Sequence, residues 1–421
     1  MNKNSMNSNS MNSISCRSGR RVLAAAVAGA IILAAQIGDA QQVPRPNNNR
    51  QAEAFATVRP GDALSGLSAA QLASFNAGLV EFTAVETEAD GLGPIFNGTS
   101  CAQCHSVPGT GGSSTTTVTR FGRVVNGVFD PLTDLGGSLL QKFAIDPAVQ
   151  EVVPKEANVV AQRLSTPIFG AGLVEAIPDA TIQQLARQPK PDGVRGRVSI
   201  VDDVASGTQR VGRFGWKAQQ ATLTSFAGDA YVNVMGVTNR LFPVENAPNG
   251  NRALLAKFDK FMDPEDPADP VTGRSDIDSL ADFMRLLAPV LPTRQSQSAS
   301  DGERLFAQIG CAACHTPSMQ TGPSPIAAID RKTVGLYSDL LLHDMGRLGD
   351  GIAQGTAGMR EMKTAALWGL RLRQPYLHDG RASTIDEAIR GHDGEAQVSR
   401  DRYQRLNPVN TQNLLDFLRT L

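Results

Sequence analysis

Cys101-Ala102-Gln103-Cys104-His105 and Cys311-Ala312-Ala313-Cys314-His315 are the two stretches on which the reading of this 421-residue chain turns. Both are C-x-x-C-H, the attachment sequence of c-type haem. On one helical turn residues i and i+3 share a face, so the two thiols can meet the two vinyl groups of one porphyrin. The adjacent histidine then reaches iron as a neutral imidazole. Two other readings compete, a redox disulfide and paired halves of a zinc site. A redox motif does not need the trailing histidine, and zinc pairs rarely lie so far apart in an exported chain. The expected cofactors are therefore two covalently bound haem c groups. Cys101, Cys104, Cys311 and Cys314 form the thioethers, and His105 and His315 are the proximal iron ligands.

Working outward, 40 Lys+Arg stand against 41 Asp+Glu, a formal charge of −1. Such a balance gives no reason to expect a nucleic-acid or anionic-membrane partner. With 41% hydrophobic but only 5% aromatic residues, the chain can bury a core yet is short of rings to fill it. Two porphyrins would answer that shortage, so loss of a motif should damage folding as well as redox activity. The N-terminus carries Arg17, Arg20 and Arg21, the apolar run Val22–Ala35, and the small-residue site Gly38-Asp39-Ala40. That order is a secretory signal peptide over residues 1–40, predicting export to the periplasm. The run is shorter than the about 20 residues of a membrane span, so no span is expected after cleavage. Cys16 is lost with the signal.

The predicted fold is mainly α, with two cytochrome c-like haem domains, residues 41–290 and 300–421, and small β-hairpin insertions in the first. Gly78 to Phe82 and Gly302 to Phe306 form a Gly-x-x-x-Phe before each motif, as a duplicated unit would. Pro289 to Ser300 reads as the linker. Helical spacing marks Ser68 to Val85 and Asn251 to Met262. Val124 to Phe129, with Asn126-Gly127 at its turn, and Val194 to Val211 read as hairpins. Gly109 to Thr117 reads as a loop beside the first haem. Asp263 to Asp269 crowds acidic residues among prolines; a solvated acidic turn is favoured over a calcium loop, because the EF-hand pattern is missing.

Further stretches bring a family into view: Gly91-Leu92-Gly93-Pro94-Ile95-Phe96-Asn97, Arg213-Phe214-Gly215-Trp216-Lys217-Ala218, Leu341-Leu342-His343-Asp344-Met345-Gly346, and Leu367-Trp368-Gly369 through Pro375-Tyr376-Leu377-His378-Asp379-Gly380-Arg381. From about Phe75 onward the chain resembles the dihaem c-type oxidoreductases related to bacterial dihaem cytochrome c peroxidases, in a branch that also holds thiol-oxidoreductase-like members. The resemblance implies a periplasmic enzyme that reduces hydrogen peroxide with electrons from a small carrier, a cytochrome c or a copper protein. Relatives that oxidise a protein side chain or cleave a substrate with dioxygen give a second reading, and an electron-transfer cytochrome without substrate chemistry a third.

In the related peroxidases the sixth ligand of the second iron comes from around the Pro-Tyr-x-His-Asp-Gly segment. The helix Thr384 to Arg390 follows it and delivers His392, which is expected to pair with His315; Met362 is the rival. His343 and His378 are expected to orient propionates or cap turns. No histidine lies between His105 and His315, so the first iron keeps an open face unless Met235 or a residue of the second domain reaches it. Relatives place a glutamate there, and the stretch Pro167 to Glu175 corresponds, making Glu175 the candidate acid/base; the alternative is that it only precedes the turn at Pro178. Trp216 either relays an electron between haems or is ordinary core.

Overall fold

The computed structural model describes residues 58–421; the predicted signal peptide and Cys16 lie outside the described residues. Among the described residues the helical framework begins at Ser68. Its hydroxyl accepts from the Gln71 amide while the Gln71 side chain accepts from the Ser68 amide, a capping box that starts the helix Ala69–Thr83. Phe75, Gly78 and Phe82 fall on one face and are buried. That face crosses the helix Asp276–Leu286, with Phe283 lying 5.2 Å from Phe75 and 4.6 Å from Phe82 between ring centroids. Close approach requires Gly78: a Cβ there would sit 2.1 Å from the Ser279 carbonyl oxygen.

The second half repeats this crossing. The helix Gln297–Gln308 packs Gly302 against the helix Pro408–Leu418, and a Cβ on Gly302 would sit 1.9 Å from the Asn413 carbonyl oxygen. Phe306 lies 5.4 Å from Phe417. Each Gly-x-x-x-Phe is thus a helix-crossing device. Each Phe also touches the imidazole of its own C-x-x-C-H motif, Phe82 with His105 at 6.2 Å and Phe306 with His315 at 6.3 Å.

Helices dominate, as expected, and the β structure consists of small antiparallel sheets. Thr117–Val125 turns through Asn126 and Gly127, both at positive φ, into Val128–Asp130, the primed turn that Asn-Gly favours. Val159–Leu164 adds a third strand. The second predicted hairpin is Ser199–Asp203 paired with Thr208–Gly212. Short sheets also occur in the second half, notably Leu342–Asp344 against Glu361–Lys363, so β structure is not confined to the first. Two further boundaries differ from expectation. The helix predicted over Asn251 to Met262 is shorter, Arg252–Phe258. The predicted linker ends early, because Ser296 caps the Ala299 amide and begins a helix within the Gln/Ser run.

One large hydrophobic cluster joins Phe75, Phe82 and Phe283 to Met319, Ile329 and Leu341, and so runs across the 290–300 region. A smaller one gathers Phe306, Tyr337, Leu414 and Phe417 beside the second motif. No helix of the described residues is long and apolar enough to cross a membrane.

Candidate functional site

Each motif occupies a single helical turn, Cys101–Cys104 in the first and Cys311–Ala313 in the second. This sets the two thiols of each pair on one side, and all four cysteines are free. His105 donates its Nδ1 proton to the Gly112 carbonyl oxygen at 3.1 Å, and His315 donates its own to Tyr337 at 3.0 Å. A carbonyl can only accept, so the proton sits on Nδ1 and Nε2 is left with its lone pair, the form an imidazole needs to bind a metal. Burial lowers the pKa of both rings, His315 to about 4, with the neighbouring His392 adding to the effect. Both are therefore neutral at ordinary pH. The Gly109 to Thr117 loop lies beside the first motif as predicted, the Gly111 amide donating to the His105 carbonyl.

Beside the second motif opens a cavity with about 1340 Å³ of atom-free space, part of it continuous with solvent. Cys311, Cys314, His315, Met362, His378 and His392 all line it. Thr384 caps the Glu387 amide to start Ile385–Arg390, which carries the chain to His392 on the wall facing His315. The two rings stand 6.4 Å apart between centroids. An ion bound axially by two imidazoles needs ring centres about 6.3 Å apart, taking roughly 2.0 Å per metal–nitrogen bond and about 1.15 Å from nitrogen to ring centre. His392 donates from Nδ1 to the Ala388 carbonyl at 2.8 Å, so it carries the same tautomer as His315. Met362 is also on the wall, in the strand paired with His343.

The charges around this cavity suit a porphyrin. Lys363 and Arg373 line it, both pushed down in pKa by burial, Lys363 to about 8. Among the described residues neither has a carboxylate ion-pair partner, although buried cations are normally paired. Two haem propionates would supply two such partners. His343 is differently placed. Its Nε2 meets Asp339 at 3.0 Å and its Nδ1 meets Glu395 at 2.8 Å, so both nitrogens are engaged within the protein. Burial alone lowers its pKa, but hydrogen bonds with Asp339, Cys314 and Glu395 more than offset this and hold it at about 11. A carboxylate at each nitrogen favours the protonated ring. Asp339 also receives Lys190, whose ammonium donates to the Ala313 carbonyl between the second motif's cysteines. Sequence reasoning missed Lys190, Asp339, Lys363 and Arg373, since none belongs to a recognisable spacing.

His378 is buried with its pKa lowered to about 4, chiefly by desolvation, and its ring lies 6.2 Å from Trp216. Trp216 links the neighbourhoods of the two motifs. It lines the second cavity, and its indole N–H donates to the Leu164 carbonyl at 2.8 Å. The next residue, Ser165, donates to the Cys104 carbonyl at 2.5 Å.

Near the first motif, burial and then the neighbouring carboxylates Glu81 and Glu86 push the Cys101 thiol up to about 12. Tyr231 donates to both carboxylates, at 3.4 and 3.1 Å. Burial, Asp276 and Glu86 raise Glu81 to about 7. Met235 is buried in the main core, its carbonyl accepting from Gly93. Glu175 ends a short helix, Ala171–Glu175, that lies against the helix Asp276–Leu286; a Cβ on Gly172 would sit 1.9 Å from the Arg285 carbonyl oxygen. Its carboxylate accepts from Arg285 at 2.7 Å and from the Leu223 amide at 2.7 Å. Glu175 thus holds a salt bridge and caps a helix start, and makes no hydrogen bond to the first motif.

Among curated proteins nothing matches the chain. Of solved structures, hydrazine synthase of Kuenenia stuttgartiensis is 15% identical, with 96% of this chain and 100% of that one covered and a TM-score of 0.40. The diheme peroxidase BthA from Burkholderia thailandensis is 14% identical, with 86% and 88% covered and a TM-score of 0.36. A MauG-like protein associated with microbial copper homeostasis is 18% identical, with 64% and 92% covered and a TM-score of 0.31. Identity rests instead on a family model, "Di-haem oxidoreductase, putative peroxidase", which matches residues 147–421, well over half of the sequence. The chain belongs to this di-haem oxidoreductase family and is a peroxidase-like haem oxidoreductase.

Proposed function

We propose that this chain is a periplasmic dihaem c-type enzyme that reduces hydrogen peroxide to water with two electrons from a small redox carrier. The observation that carries the reading is the inequality of the two sites. Across the second cavity a second imidazole faces the motif histidine at 6.4 Å, whereas His105 faces no other histidine. When bound, a haem held at the second motif would supply electron transfer, and one held at the first by Cys101, Cys104 and His105 would supply the redox chemistry of peroxide reduction.

The chain's own residues do the rest. Cys101, Cys104, Cys311 and Cys314 fasten the two groups covalently. His105, His315 and His392 hold the irons, their Nδ1 protons spent on Gly112, Tyr337 and Ala388. Lys363 and Arg373 neutralise the propionates of the second haem. Trp216 lies on a bonded route between the sites, through Leu164 and Ser165 to Cys104. Glu175 moves protons at the first site, with Arg285 fixing its orientation; Glu81, near Cys101 and without a cation partner among the described residues, is another candidate, its pKa raised to about 7 by burial and neighbouring carboxylates. The repeated Gly-x-x-x-Phe crossing supports two cytochrome c-like units, and the signal-like first 40 residues support export.

Holoprotein mixed with a reduced small c-type cytochrome and peroxide tests the proposal. The expected result is oxidation of two carrier molecules per peroxide consumed. No peroxide-dependent oxidation with any one-electron donor would overturn it.

A further inference from the structure

The acidic run Asp263 to Asp269 does not act as one solvated turn. Asp266 turns inward to accept from the amides of Asp276 and Ile277, which begin the helix Asp276–Leu286. Asp269 closes a local turn onto the Val271 and Thr272 amides. Asp263 and Glu265 instead meet Glu245, some twenty residues earlier, and one carboxylate oxygen from each of the three lies within 4.8 Å of the others. Glu245 is 3% exposed. Its Oε1 accepts from the Asn246 amide, while Oε2 is buried with no hydrogen-bond partner.

A buried carboxylate oxygen left unsatisfied costs about 1–3 kcal/mol or more, and three close carboxylates repel one another. No arginine or lysine side chain pairs with any of the three among the described residues; Arg252 donates only to the Glu245 backbone carbonyl. Thr238 bridges two of the three, its hydroxyl hydrogen-bonding Asp263 and Glu265. Oxygen-only donors of high negative charge, with one edge open to water at Asp263, suit a hard divalent cation. Two oxygens on one Ca²⁺ lie at most about 5 Å apart, given bonds of roughly 2.5 Å, so the cluster is already within span.

We propose that Glu245, Asp263 and Glu265 bind a calcium ion that braces the segment leading into the first C-x-x-C-H motif. Gly91 and Gly93 bring that segment against the cluster. A Cβ on Gly93 would lie 2.8 Å from Glu245 Oε1, and one on Gly91 would lie 2.5 Å from the Glu265 Cβ. From there the chain runs through Ile95 and Asn97 to Cys101.

Chelator-treated holoprotein titrated with CaCl₂ by calorimetry is the test, with thermal unfolding as a second readout. The expected result is one Ca²⁺ per chain and a Tm that rises with Ca²⁺. Asp263→Asn, on the exposed edge, and Glu265→Gln should each weaken binding by about tenfold or more while haem content stays unchanged. Asp269→Asn should bind as the unaltered chain does. Absence of stoichiometric Ca²⁺ uptake, or unaltered affinity in Asp263→Asn and Glu265→Gln, would overturn the site.

Discussion

His315 and His392 present their imidazoles to one another across the second cavity, centroids 6.4 Å apart and planes inclined by 57°. Each donates Nδ1–H to a carbonyl of its own neighbourhood, Tyr337 and Ala388. Two rings so spaced and so protonated fit the span of a single metal ion, which is the basis of the His315/His392 pair proposed above.

If His392 is the sixth ligand, His392→Gly should abolish the low-spin bis-imidazole signal of the second haem. It should also raise that haem's reduction potential as Met362 or water takes the position, because replacing His by Met raises the potential. Spectropotentiometry with resonance spectra checks this. An unchanged spectrum and potential would remove His392.

Arg373→Gln deletes a cation from the wall of the same cavity. The second haem's potential should fall, since a positive charge near iron favours the reduced form. The first haem's potential should stay put, which separates a local charge effect from general damage.

Gly78→Ala and Gly302→Ala each force a methyl group into a helix crossing with no room for it, 2.1 and 1.9 Å from a facing carbonyl oxygen. Each should destabilise the protein by about 1–3 kcal/mol, read from denaturant midpoints at constant m. The two losses should be similar, because the crossings repeat one geometry. A neutral outcome at either site would deny that equivalence.

The His343 network gives a pH dependence. Its folded pKa of about 11 lies above the ordinary value of 6.5. The stability it contributes is therefore complete below about pH 6.5 and lost progressively as pH rises towards 11. Asp339 is held at about 2, so its contribution is present above the ordinary carboxylate range and lost in strong acid. A thioether at Cys314, as proposed above, would remove that residue from the network and leave Asp339 and Glu395 to hold the charge. His343→Gln should lower stability at neutral pH and flatten the alkaline limb of the stability curve. A parallel limb in the variant would show that His343 does not titrate in this range.

Glu175→Gln should slow peroxide turnover by about 10²-fold with haem content unchanged, the size expected of a general acid/base. Should it lower only the Tm, its part is the Arg285 bridge, and Glu81→Gln then becomes the variant expected to slow turnover.

The sequence is most legible where chemistry is local. C-x-x-C-H and Asn126-Gly127 each specify a turn from a few adjacent residues, and both turns are present; the helix read from Thr384 to Arg390 is present too, as Ile385–Arg390 capped by Thr384. Gly78 and Gly302 were visible as a repeated spacing, though their purpose depends on helices more than a hundred residues downstream. What stayed hidden are partnerships formed by folding. Arg285 reaches Glu175 across 110 positions, Lys190 reaches Asp339 across 149, and Glu245 joins Asp263 only once two loops meet. The linker was misjudged at its end because Ser296, in a polar run that looks featureless, is a helix cap. Lys363 and Arg373 look like ordinary surface charges until their half-buried place on the cavity wall, without a carboxylate partner among the described residues, marks them.

Electron paramagnetic resonance of the oxidised holoprotein tests the central claim most directly. Two haems per chain are expected, one giving a low-spin bis-imidazole signal and one a high-spin signal that peroxide or cyanide abolishes. Two low-spin, unreactive haems, or fewer than two haems per chain, would contradict the account.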